Sequence, residues 1–124
     1  MGPRKPLLIE LSPGDILWVW YQAGEKRPVI VVSRADLNRG DYFLAVPCTT
    51  ARLEVRRRLP NCVHFQKGAF GLPKECVAQA DALTQLRTSD LVQPVEPIGR
   101  LSESAIRALL VAIGNVIGAD YRPA

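Results

Sequence analysis

The chain has 124 residues, 48% of them hydrophobic and 23% charged, with a formal net charge of +4 at pH 7. That length fits one domain, which buries roughly two-thirds of its unfolded surface and leaves no room for a separate regulatory module. No run approaches the roughly 20 apolar residues of a membrane span, and Leu7 to Ile9, cut off by Glu10, is too short for a secretory signal, so a cytoplasmic location is expected.

In chain order, short extended runs precede one helix. Pro13 and Gly14 open a first strand, Asp15 to Tyr21, where Ile16, Trp18 and Trp20 alternate with Leu17 and Val19. Both faces are apolar, so this strand is expected to be buried with Trp18 and Trp20 in the core. A tight Gln22 to Glu25 connection leads to a second strand, Arg27 to Ser33. The polar segment Arg34 to Asp41, with Asn38 and Gly40 as turn formers, precedes a third from Tyr42 to Cys48. Cys62 to Gln66 follows, Gly68 and Gly71 punctuate, and Cys76 to Ala80 and Ala82 to Leu86 supply two more. Short strands at close spacing predict a compact barrel. From Ser102, a good N-cap, the three- and four-residue spacing of Ile106, Leu109, Leu110, Ile113 and Ile117 predicts a helix ended by Gly118. Its other face carries Ala105, Ala108, Val111 and Ala112. A helix so poor in charge asks for cover on two sides, the barrel and a second subunit, unless its small residues sit on a lightly covered surface.

The chemistry-bearing groups sit at strand ends. Arg27 starts the second strand, while Thr49 and Thr50 end the third. A permanent cation and hydroxyls so placed are the groups that hold a phosphate without a metal. Arg52, Arg56, Arg57, Arg58, Lys67 and Lys74 face only Glu54 between Arg52 and Lys74, either as a polyanion surface or as a loop kept soluble by charge. Cys48, Cys62 and Cys76 are widely spaced and there is one His, which excludes a complete zinc site from one chain and argues for reduced thiols serving as small apolar side chains. RNA carries its own nucleophile, so positioning a 2′-hydroxyl and stabilising charge on the phosphate oxygens suffices to cut it. A guanidinium does not normally release its proton. His64 and Glu25 are the other titratable groups, and each also reads plainly as a strand residue and a turn carboxylate. Tyr21 and Phe70 could stack on unpaired bases while Arg52 and Arg56 track the backbone.

The order of these pieces resembles the MazF/PemK family of toxin endoribonucleases. The likeness rests on Gly14-Asp15-Ile16 with Trp18, Glu25-Lys26-Arg27-Pro28 and Val46-Pro47-Cys48-Thr49-Thr50. Gly71-Leu72, Lys74-Glu75-Cys76-Val77, Asp81, Leu83 and Ile98 to Ser102 continue it. It implies a mainly β fold, a small SH3-like barrel with a carboxy-terminal helix, forming one domain over residues 1–124 with its core at 13–118 and flexible ends. It further implies a homodimer, cofactor-free and metal-independent cleavage of single-stranded RNA, and neutralisation by a cognate antitoxin with an acidic tail. Arg27 and Thr49 take the catalytic roles, with Glu25, Lys26, Thr50, Arg52, Arg56 and Tyr21 as the RNA-binding set. The connection before Arg27 is shorter than in relatives, and Ala82 stands where relatives often carry Gln. A gyrase-poisoning toxin of the CcdB branch and an inactive binding barrel are the competing readings.

Overall fold

Apolar side chains on both faces of the early strands need cover on both sides, and the chain provides it by curling one antiparallel sheet. A computed structural model describes residues 10–118. The expectations of no signal segment and of flexible ends concern residues 1–9 and 119–124, outside the described residues. In chain order the elements are β1 (Asp15–Trp20), β2 (Lys26–Val31), β3 (Tyr42–Thr49), the one-turn α1 (Leu53–Arg56) and β4 (Cys62–Phe65). They continue with β5 (Cys76–Gln79), β6 (Thr84–Arg87), β7 (Gly99–Arg100) and α2 (Glu103–Ile117).

The sheet runs β4-β5-β3-β2-β1-β7, with β6 added to β3. β3 is the hub: its first half pairs with β6 (Phe43 opposite Leu86), its middle with β2 (Ile30 opposite Val46), and its end with β5 (Cys48 opposite Ala78). Alternation then divides the core. Ile16, Ile30, Val46 and Cys48 pack with Phe65, Leu72 and Leu109 on one face, while Leu17, Val19, Val29, Val31 and Phe43 pack with Leu91 on the other. α2 covers the first face with Leu109, flanked by Ala105, Ile106 and Ile113. The result is the expected fold, a curled, barrel-like antiparallel sheet closed by a carboxy-terminal helix.

The caps of α2 stand where the sequence places them. Ser102 Oγ accepts from the Ala105 N–H at 3.2 Å, and Gly118 ends the helix at φ +75°. The outer face of α2 has no cover among the described residues: Leu110, Val111 and Ile117 are 57%, 64% and 71% exposed. No helix of the described residues is long and apolar enough to cross a membrane.

Several expectations need correction. Trp20 is 46% exposed, because β1 ends there at the sheet's rim, and Lys26 Nζ lies 5.3 Å from its ring centroid. The strand expected at Ala82–Leu86 begins only at Thr84, since Ala80–Ala82 forms a 3-10 turn. β2 ends at Val31 rather than Ser33, whose hydroxyl binds the Leu44 N–H at 2.9 Å and the Asn38 side chain. Asn38 is more than a turn former: it is buried, and its Nδ2 donates to Leu11 O and Ser33 O, both at 2.9 Å. β7 had no counterpart in the sequence reading. It lies so close to the Ala69–Gly71 turn that a Cβ on Gly99 would sit 1.8 Å from Phe70 O.

Candidate functional site

Two prolines shape the site. β2 and β3 pair from Val31 opposite Ala45 to Val29 opposite Pro47, and the same register carried two residues further would set Arg27 opposite Thr49. Pro28, whose nitrogen faces β3, has no N–H to extend this ladder, and Pro47, whose nitrogen faces away from β2, has none to continue the pairing with β6. Past Pro47, β3 turns to β5, with Thr49 opposite Val77. The strands therefore part where Arg27 and Thr49 stand. The gap is an open cleft of about 390 Å³ lined by both residues.

Glu25, Lys26, Thr50 and Lys74 line the same cleft, giving it three cations and one carboxylate. Trp18, Pro28 and Pro73 supply apolar wall, and the buried Cys48, Leu72 and Cys76 form its floor. The Arg27 guanidinium lies over the Tyr21 ring, 4.7 Å from its centroid, and Tyr21 in turn packs on the second core cluster. Stacking fixes the plane of the guanidinium while leaving its N–H edges available, and Arg27 has no carboxylate partner among the described residues. Thr49 is 8% exposed and its Oγ1 accepts from the Ala51 N–H at 3.2 Å, so its own O–H is left to donate. The three cysteines are free thiols, and a hydrogen bond with Cys76 together with burial pushes the Cys48 thiol well above its ordinary range. Cys48 is thus a neutral thiol and no nucleophile. Among the described residues no three His, Cys, Asp or Glu side chains cluster to hold a metal ion.

Of the residues singled out in the sequence, Arg27, Thr49, Glu25, Lys26 and Thr50 come together in the cleft. Tyr21 does not line it and instead underlies Arg27. Arg52 and Arg56 lie outside it. Arg52 adopts a left-handed conformation at φ +52°, and Arg56 Nη1 donates to Ala51 O at 3.0 Å, bracing the turn behind Thr49. His64 pairs with Glu75 at 2.7 Å, also away from the cleft lining. Phe70 packs edge-on against Phe65 rather than lining the cleft. Sequence reasoning counted Lys74 only within a wider polyanion surface and treated Trp18 as core, yet both line the cleft. For Lys74, the signal was its place directly after a Leu72-Pro73 break at the entry to β5.

Comparison with known proteins places this geometry in a family. The model for the PemK-like, MazF-like toxin of type II toxin-antitoxin systems matches residues 12–117. The chain is similar to the Mycobacterium tuberculosis toxin MazF-mt6, with 26% identity and a TM-score of 0.72 over 86% of this chain and 99% of that one. An endoribonuclease in complex with its cognate antitoxin from a mycobacterial species aligns at 20% identity and TM-score 0.73, covering 90% of this chain and 98% of that one. A MazE-MazF complex from Deinococcus radiodurans aligns at 20% identity and TM-score 0.70, covering 89% and 97%. No curated protein sequence matches significantly. With its cleft between diverging strands and a family match over nearly its whole length, the chain belongs to the PemK-like, MazF-like toxins of type II toxin-antitoxin systems.

Proposed function

We propose that this toxin is an endoribonuclease that cuts single-stranded RNA by attack of a ribose 2′-hydroxyl on the adjacent phosphorus. The observation that carries this reading is the convergence of Arg27 and Thr49 on one solvent-open cleft. Arg27 offers a planar pair of N–H donors to two phosphate oxygens and Thr49 a third donor, so charge developing in the transition state meets groups already in place. Lys26 and Lys74 hold flanking phosphates, and these side chains supply the positive charge the step needs without a metal or other cofactor. Glu25 lines the cleft, whereas His64 is tied to Glu75 elsewhere, so Glu25 is the better placed of the two to accept the 2′-hydroxyl proton. The P–O5′ bond breaks and the departing 5′ oxygen takes a proton from water, leaving a 2′,3′-cyclic phosphate and a 5′-hydroxyl. The partners that follow are RNA, a cognate antitoxin whose acidic segment fills the cationic cleft, and a second copy of the chain, all in the cytoplasm.

The test is incubation of the purified protein with long single-stranded RNA in excess chelator, followed by mapping of the product ends. Cleavage is expected to persist and to give 5′-hydroxyl ends, and Arg27→Ala is expected to slow it about a hundredfold with the fold intact. Full activity in Arg27→Ala would end this mechanism. Gyrase-linked DNA breaks without RNA cleavage would replace it with the gyrase-poison reading.

A further inference from the structure

Trp18 is shared by two clefts. On one side it borders Arg27 and Thr49; on the other it borders a second cleft of about 340 Å³ lined by Gln93, Pro94, Glu96 and Pro97. The segment carrying these residues is pinned at both ends to β1. Val92 N–H donates to Trp18 O at 3.0 Å and Ile98 N–H to Ile16 O at 2.7 Å, while Val95 packs into the core between them. Two prolines stiffen the stretch between the pins. A strand of RNA lying across the first cleft therefore has, one wall away, a second recess that is already shaped.

The chemistry of that recess is that of a base reader. Trp18 and the two proline rings are flat apolar surfaces suited to an unpaired base. The Gln93 amide and the Glu96 carboxylate line it and have no protein partner among the described residues. A carboxylate is a poor neighbour for phosphate, so its role here is not backbone grip. It accepts hydrogen bonds, and its two oxygens match two adjacent N–H donors. Guanine presents such a pair at N1–H and N2–H. Uracil presents one N–H between two carbonyl oxygens that would face the carboxylate unfavourably.

We propose that this second cleft is a specificity subsite that takes the base next to the cleaved phosphodiester, preferring guanine through Glu96 and Gln93 with Trp18 as the stacking wall. The proposal rests on the ribonuclease reading and is tested alongside it. A randomised single-stranded RNA pool is cut in chelator by the wild-type protein and by Glu96→Gln, and the 5′-hydroxyl ends are sequenced. Glu96 is exposed, so its substitution leaves the fold in place. The expected result is a wild-type preference for guanine at one position beside the cut. In Glu96→Gln that preference should fall about tenfold, with preferences at other positions unchanged. Identical base profiles in the two proteins would overturn the subsite and leave the ribonuclease reading standing. No cleavage by the wild-type protein would overturn both.

Discussion

Thr49 is buried between a turn that it closes and a cleft that it faces, so its side chain serves two ends with one oxygen. Accepting from Ala51 N–H fixes the rotamer and leaves the proton free to donate into the cleft. Thr49→Val keeps the shape but removes both functions. Its turnover is expected to fall about a hundredfold, while Thr49→Ser stays within severalfold of the wild type. Measuring kcat and KM separately on a short RNA checks this: loss confined to KM would make Thr49 a binding residue only. That Arg27 and Thr49 share a cleft was legible in the sequence because each flanks a proline-marked strand end, Arg27 directly before Pro28 and Thr49 two residues after Pro47, a local signal. That Lys74 and Trp18 join them in this cleft was not, because the register of β3 against β5 and the parting of β2 from β3 are set by pairings distant in the chain. Trp18 and Trp20 look equivalent by alternation, but only the first stands where the sheet splits. Tyr21 was named for base stacking, but its actual place was hidden in the same way. Its ring under Arg27 follows from β1 pairing Val19 with Arg27, which no local pattern announces.

At the scale of elements, legibility followed periodicity. α2 was readable because its caps and its repeat are local, and most strands were readable because alternation is local too. β7 was invisible, since two residues have no period, yet it closes the far edge of the sheet by pairing with Asp15 and Ile16. Arg100 then reaches Asp15 Oδ1 at 2.7 Å, and the Ser12 N–H holds the other carboxylate oxygen at 2.8 Å. Gly99 admits this edge because the Phe70 carbonyl occupies the space a side chain would need. The neighbouring Gly71 has φ +83° and meets Ile98 O in the same way, so backbone crosses backbone here with no flexible side chain to yield. Gly99→Ala is therefore expected to destabilise the fold by about 1–3 kcal/mol. Urea unfolding followed by circular dichroism checks it, and an unchanged midpoint would mean that this edge is free to move away. The same crossing places Ile98 at the border of the second cleft, so loss of the Gly99 contact should also loosen the recess assigned to base recognition.

For the whole molecule, the open question raised by composition is what covers the outer face of α2. Leu110 and Val111 begin an exposed stripe that Ile117 continues two turns on. Gly114 lies between them, and nothing comes within 4 Å of a Cβ built on it. Glycine inside a helix is destabilising by roughly 0.5–1 kcal/mol relative to alanine, and leaving this much apolar surface in water compounds the loss. Both are offset if a second copy packs its own helix here, since a small residue lets two backbones come close and the stripe supplies the apolar area. The homodimer proposed above then uses α2 as at least part of its interface. Sedimentation equilibrium at micromolar concentration is expected to give twice the mass of the chain. Val111→Glu is expected to shift it toward the single-chain mass with the far-ultraviolet spectrum unchanged, because the side chain faces solvent in the single subunit. A Val111→Glu protein that still sediments at twice the mass would place the interface on another face of the barrel. A wild-type protein that sediments at the mass of one chain would mean that the toxin works with its helix bare.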